Sequence, residues 1–231
     1  MIDGKSILGI ILARGGSKRL PGKNILDLAG KPLIGWSIEA GLKSKYIDKV
    51  VVSSDSSDII NISKKYGTKI VKRPSVLASD TATSFDAIKH TIDIIDEKFD
   101  LIILLQPTSP LRNNGHIDEA LELLIKKKTD AIISVTEMDY CPLESNILPE
   151  DGSMVNFLKD EFVNKRSQDL EKYYRLNGAI YICKTDNLLK EKTFFLKNNI
   201  YSYKMDRESS VDIDEKIDFQ LANLIIEKVI V

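Results

Sequence analysis

Two apolar runs dominate the hydrophobicity pattern, Ile7–Ala13 and Leu101–Leu105, and both read as strands buried on two faces. Between them the pattern alternates. Pro32 suits the first position of a helix running to about Ser44, with Leu33, Trp36 and Ala40 on one face and Ile34 and Ile38 beside it. Lys49–Ser54 predicts a strand, Ser57 caps a helix to Tyr66 that Gly67 ends, and Lys69–Lys72 predicts a third strand. A loop, Arg73–Thr83, leads to a helix carrying Phe85, Ile88, Ile92 and Ile95 on one face. After Leu105 the two prolines of Gln106–Arg112 stiffen a loop. A helix with Ile117, Ala120, Leu121 and Leu124 inward and a strand at Ala131–Thr136 follow. This alternation predicts an α/β fold built on a parallel sheet.

Periodicity fades from about Glu137 to Leu176, a stretch too long for a plain connection. Its scattered apolar residues, Tyr140, Pro142, Leu143, Ile147, Leu148, Met154, Phe157 and Phe162, suit hairpin strands covering another surface, such as a second subunit. The chain is expected to rejoin the sheet at Asn177–Ile182, add a strand at Ile200–Lys204, and end in a helix buried along Ile217, Leu221 and Leu224. The expected division is one domain of residues 1–136 and 177–231, with 137–176 inserted as a dimerisation segment.

Composition narrows the partners. With 33 basic and 34 acidic side chains in 231 residues, the chain lacks the basic excess of a nucleic-acid binder. No run is apolar enough to span a bilayer, and no signal-peptide core is distinct from the first strand. Cys141 and Cys183 have no metal-like spacing, and a cytoplasmic location is expected. His90 and His116 fall in predicted helices, away from any nucleophile arrangement.

The chemistry is expected at the carboxyl ends of the strands. After the first strand, Ala13-Arg14-Gly15-Gly16-Ser17-Lys18-Arg19-Leu20-Pro21-Gly22-Lys23-Asn24 mixes three glycines with four cations. Glycines let backbone N–H groups close on a phosphate, and the cations add charge. A P-loop does not fit: one residue too many separates Gly16 from Gly22, and Asn24 replaces the hydroxyl. A pyrophosphate here would meet Arg14, Lys23 and the N–H groups of Gly15–Ser17. In the second loop Arg73 could donate to a ligand's acceptors, or be a surface cation before a proline. Ser84 serves equally as a helix N-cap or a ligand contact. Gln106 caps a strand edge or faces a ligand. Asp212 and Asp214, two apart on an extended segment, share a side; they suit Mg²⁺, or acids at a helix start.

Four motifs, in order, resemble the cytidylyltransferases that activate nonulosonic acids, the CMP-sialate synthetase family. They are the loop Ala13–Asn24, Gln106-Pro-Thr-Ser-Pro-Leu-Arg112, the stretch Arg166 to Tyr181, and Ser210-Val-Asp-Ile-Asp214. Leu12 departs from the family, where proline is frequent. The resemblance implies a Rossmann-like three-layer nucleotidyltransferase domain with a mainly parallel mixed sheet. It implies transfer of CMP from CTP to an acidic nine-carbon sugar, with Mg²⁺ (or Mn²⁺) and a homodimer. Arg14, Lys23, Gln106 and Asp214 are then the expected catalytic residues. Ala13, Gly15, Gly16, Ser17, Asn24, Arg73 and Ser84 join Arg14 and Lys23 around the nucleotide. Thr108, Ser109, Arg166, Arg175 and Tyr181 join Gln106 around the sugar, and Asp212 and Asp214 hold the metal. Two rival readings are a cytidylyltransferase for another acidic sugar, such as 3-deoxy-manno-octulosonate, and a catalytically silent nucleotide-binding regulator.

Overall fold

The computed structural model describes residues 1–163, 165–166 and 169–230. Strand β1 (Ile7–Leu12) leads to a short ribbon, β2 (Asp27–Leu28) and β3 (Lys31–Pro32), then to α1 (Leu33–Lys43) and β4 (Lys49–Ser54). Next come α2 (Ser57–Lys65), β5 (Lys69–Lys72), α3 (Ser84–Ile95), β6 (Leu101–Leu105), α4 (Asn114–Lys127) and β7 (Ala131–Glu137). The chain continues through β8 (Tyr174–Lys184), α5 (Thr185–Glu191), β9 (Ile200–Met205) and α6 (Lys216–Ile230).

Seven strands form one sheet in the order β5-β4-β1-β6-β8-β7-β9. β8 runs antiparallel to both its neighbours, and every other adjacent pair is parallel. The expected mixed, mainly parallel α/β sheet is therefore present. The apolar runs need both faces covered because side chains alternate across a strand. Ile7 and Ile11 of β1, with Leu101, Ile103 and Leu105 of β6, meet α1, α2 and α4 on one face. Leu8 and Ile10, with Ile102 and Leu104, meet Ile88 and Ile95 of α3 and Leu188 of α5 on the other. Three layers follow directly.

Several local expectations shift. Ser56, not Ser57, caps α2, accepting from the Ile59 N–H. Pro32 is the N-cap residue of α1 rather than its first helical residue. The largest correction is α6. Ile217, Leu221 and Leu224 are 66%, 48% and 57% exposed, so they are not its buried stripe. Ala222 and Ile226 are buried instead, with Phe219 beside them, against Leu28, Leu33 and Ile213. α6 carries two apolar stripes, and the ribbon-and-α1 surface selects the second.

The aperiodic segment is shorter at both ends than expected, because Thr136 and Glu137 pair with Arg175 and Tyr174. Among the described residues between Glu137 and Tyr174 no strand forms, so the expected hairpins are absent; Pro142–Glu144 makes one helical turn. Tyr140, Ile147, Leu148, Met154 and Val155 are exposed, and Phe157 and Phe162 are partly buried.

Cys183 lies fully buried in the second core cluster, and burial pushes its thiol up to about 12. Cys141 is partly exposed. In the native protein iodoacetamide is expected to modify Cys141 and spare Cys183 until denaturant is added, because the thiolate is the nucleophile. Peptide mapping by mass spectrometry checks this, and rapid native labelling of Cys183 would contradict it.

Candidate active site

The carboxyl ends of β1, β5 and β6 open into a cleft of about 620 Å³. Its walls include Arg14, Lys23, Arg73, Ser84, Gln106 and Asp214. Strand order explains the convergence: β4 separates β1 from β5, and β6 flanks β1, so three distant loops share one rim.

The glycine-rich loop is already engaged with carboxylates. Arg14 Nη1 donates to Asp80 at 3.0 Å, and Lys18 Nζ lies 2.6 Å from the other Asp80 oxygen. Arg19 and Lys23 lie 2.9 and 3.3 Å from the two oxygens of Asp214. Lys23, almost buried, also donates to the Ile213 carbonyl. Asn24 is buried and donates to the Arg14 carbonyl at 3.1 Å, holding the loop's curvature. Ala13 is buried at the strand end and bonded through its N–H to the Ser53 carbonyl. The backbone donors are less free than the glycines suggest. Gly15 N–H donates to Asp55 at 3.1 Å, and Ser17 N–H to the Gly15 carbonyl. Gly16 faces open space, where an added Cβ would meet nothing within 4 Å.

Arg73 is not a surface cation. It is 6% exposed, its Nε lacks a partner, and Asp55 lies 4.0 Å from Nη2. Burial lowers its basicity, the Asp55 charge opposing. Ser84 is not the helix cap either. Thr83 caps α3, with Asp86 closing a capping box, which leaves the Ser84 hydroxyl on the cleft wall. Gln106 stands at the junction with a smaller pocket of about 250 Å³, walled by Tyr181, Leu188, Phe194 and Phe195. The Thr108 hydroxyl donates to Gln106 Oε1 at 3.4 Å. Ser109 lies elsewhere: it is fully buried and does not line the cleft. Arg175 is exposed on β8, close enough to favour the Asp212 carboxylate. Arg166 is exposed and lies off the cleft wall.

Asp212 is half-buried, and its buried Oδ1 has no hydrogen-bond partner. Burial pushes its carboxyl above the usual range and Asp214 adds repulsion, while Thr108, Lys23 and Arg175 oppose. An unpartnered buried carboxylate oxygen two residues from Asp214 suits a hard cation that takes its remaining oxygens from phosphate and water. Among the described residues no group of three or more His, Cys, Asp or Glu could hold a metal by itself. Gly178 seals this corner. Its φ is +75°, and a Cβ there would lie 3.3 Å from Gln106 Oε1 and 3.4 Å from Asp212 Oδ2. It falls where the β7–β8 register shifts, between Ile133↔Tyr181 and Val135↔Leu176.

A cytidylyltransferase family model matches residues 8–229. The chain belongs to the cytidylyltransferase family. It is 39% identical to an N-acylneuraminate cytidylyltransferase of Escherichia coli over 223 residues, 96% of this chain and 52% of that protein. The chain thus spans about half the length of that relative. It is 35% identical to a pseudaminic acid cytidylyltransferase of Campylobacter jejuni over 94% of this chain and 95% of that one. A CMP:2-keto-3-deoxy-manno-octonic acid synthetase complexed with CTP shares its fold, with a TM-score of 0.74, 17% identity, and coverage of 97% and 99%.

Sequence reasoning missed the partners that hold the glycine-rich loop. Asp55 follows β4 on the same rim and was legible from that position alone. Asp80 and Arg19 lay within loops already singled out, but nothing local pairs Asp80 with Arg14. Phe194 and Phe195 sit in an irregular stretch after α5, with no period to flag them.

Gly178→Ala is expected to cost about 1–2 kcal/mol of stability from the positive φ alone, with crowding of Gln106 and Asp212 added. Gly16→Ala, where space is open, serves as the control and should change little. Urea midpoints of the two variants check this, and equal midpoints would contradict it.

Proposed function

We propose that the chain transfers CMP from CTP to the anomeric hydroxyl of a nonulosonic acid of the N-acylneuraminate type, releasing pyrophosphate. One observation carries this: four cations of the first loop converge on a cleft whose other walls supply Arg73, Ser84, Gln106 and Asp214. A triphosphate is the ligand such a cluster suits, and the relatives' names indicate a nonulosonate as acceptor. CTP would exchange its phosphates for Asp80 and part of Asp214 on Arg14, Lys18 and Lys23. Arg73 and Ser84, on the cleft wall, would contact the nucleoside of CTP. The sugar would sit at the junction of the two pockets, its hydroxyl near Gln106 and its acyl side against Tyr181, Phe194 and Phe195.

In the reaction the anomeric hydroxyl loses its proton to solvent as its oxygen bonds to the α-phosphorus, the bond from that phosphorus to the β-phosphate's bridging oxygen breaks, and pyrophosphate leaves with that electron pair. Lys23 and Arg14 favour the charge that develops on the leaving oxygens. Mg²⁺ or Mn²⁺ held by Asp212 and Asp214 would neutralise phosphate charge and make the sugar hydroxyl more acidic. No helix of the described residues is long and apolar enough to cross a membrane, and two free cysteines fit a cytoplasmic setting.

The test is pyrophosphate release from CTP with N-acetylneuraminate, legionaminate, pseudaminate and 3-deoxy-manno-octulosonate in turn, with Mg²⁺ and then with a chelator. A nonulosonate is expected to be the best acceptor, and activity should vanish in the chelator. Lys23→Ala should lose about 1.5–3 kcal/mol of stabilisation, read as a fall in kcat/KM for CTP. Release with none of the acids would defeat the reading.

The segment 137–176 is, on this reading, an inserted dimerisation arm delivering Arg166 to the partner's sugar. Its exposed Tyr140, Ile147, Met154 and Val155 support it, since a two-fold interface would cover the same patch from both subunits. Arg166 lies off its own chain's cleft wall, which also suits a role across an interface. Arg166→Ala should raise KM for the sugar acid and leave that for CTP nearly unchanged. Hybrids of Arg166→Ala and Lys23→Ala subunits should recover part of the activity, because one site then keeps both residues. A fully active monomer in sedimentation would refute the shared site.

A further inference from the structure

Arg112 closes the Gln106–Arg112 loop and is 1% exposed, among the most buried large side chains in the molecule. Burying a guanidinium is costly unless it is paired. Among the described residues no carboxylate lies within ion-pair distance of it, and its Nε and Nη1 find no hydrogen-bond partner. Desolvation lowers its pKa to about 9. Only Nη2 is used. It donates to Ser37 Oγ at 2.6 Å and to the Gln106 main-chain carbonyl at 3.2 Å. Ser37, fully buried in α1, donates its own hydroxyl to that same carbonyl at 3.0 Å.

Two buried donors thus meet one acceptor, and the acceptor belongs to the residue at the junction of the two pockets. The residue after Gln106 is Pro107, which fixes its own φ but offers no N–H to anchor the turn. The carbonyl is therefore the handle by which the scaffold can set this peptide. A loop held only for stability needs no unpaired cation in the core; an apolar side chain would fill that space more favourably.

We infer that Arg112 and Ser37 form a positioning pair for Gln106: by clamping its carbonyl from beneath, they aim its side-chain amide at the acceptor sugar. Arg112 touches neither substrate. The inference rests on the proposed placement of the sugar beside Gln106.

The experiment compares Arg112→Met and Ser37→Ala in the wild-type and Gln106→Ala backgrounds, with KM for CTP and for the sugar acid measured separately. In the wild-type background Arg112→Met is expected to lower kcat/KM for the sugar about tenfold or more, with KM for CTP within about twofold. Ser37→Ala should shift the same constant in the same direction by less. In the Gln106→Ala background neither change should cost more than about twofold further. Equal losses in both backgrounds, or a parallel rise in KM for CTP, would overturn the positioning role while leaving the proposed function standing. Gln106→Ala with wild-type kinetics would overturn the positioning role and the placement of the sugar beside Gln106, while CMP transfer itself would stand. If Arg112→Met does not fold, Arg112→Lys and Ser37→Ala in the two backgrounds make the same comparison.

Discussion

One buried ammonium joins the two ends of this chain. Lys23 leaves the glycine-rich loop and donates to the carbonyl of Ile213, 190 positions later, while also reaching Asp214. A lysine 8% exposed needs such partners, because burying a polar group without hydrogen bonds is costly. The contact fixes the glycine-rich loop relative to the Asp212–Asp214 segment. It also sets where α6 begins, since Ile213 packs with Leu28, Leu33, Ala222 and Ile226 directly beyond it. The small third core under the β2–β3 ribbon and the geometry of the site are thus two faces of one constraint.

The same loop shows how a cluster of cations is kept stable without its ligand. Arg14 and Lys18 share Asp80; Arg19 and Lys23 share Asp214. Lys18 and Arg14 hold the Asp80 carboxyl below its usual range. Asp55 occupies the Gly15 N–H in a similar way. Binding a polyanion here would exchange one set of charge-assisted bonds for another. Net affinity is the difference between the two sets, not the sum of the contacts made. Asp80 and Asp214 are held differently: Asp214 lies beside the buried Lys23, whereas exposed Asp80 lies on a loop of few regular elements.

Much of this architecture was legible from periodicity. Leu101–Leu105 is a strand between the predicted limits, and the inward faces of α3 and α4 match the 3.6-residue repeat. The failures share a cause. The stripe Ile217, Leu221, Leu224 is a valid helical face, but which of two apolar faces docks depends on a ribbon too short to carry a period. Ser84 looked like a cap because its neighbour Thr83 fits as well; only geometry separates them. In the site, the loops were legible because glycine, proline and charge mark them. The pairings across loops, Arg14 with Asp80 or Arg73 beside Asp55, were not, because no local pattern encodes a contact made by folding. Ser109 follows the same rule in reverse: a hydroxyl in a polar-looking motif that the turn rotates into the core.

The antiparallel strand explains why the aperiodic segment leaves and rejoins the sheet on the side of the cleft. β6 and β7 both run antiparallel to β8, so they point the same way and end on the same rim. The segment after Glu137 therefore departs from the edge of the cleft, and Tyr174, paired with Glu137, returns the chain to that edge. β8 then descends past the cleft, carrying Arg175, Gly178 and Tyr181, while Ala179, Ile180, Ile182 and Cys183 pack into the core. A parallel strand in this place would begin at the opposite end of the sheet and bring none of these residues to Gln106 or Asp212. Reversing one strand thus places three site positions, and the roots of the long segment, around the loops that follow β1 and β6.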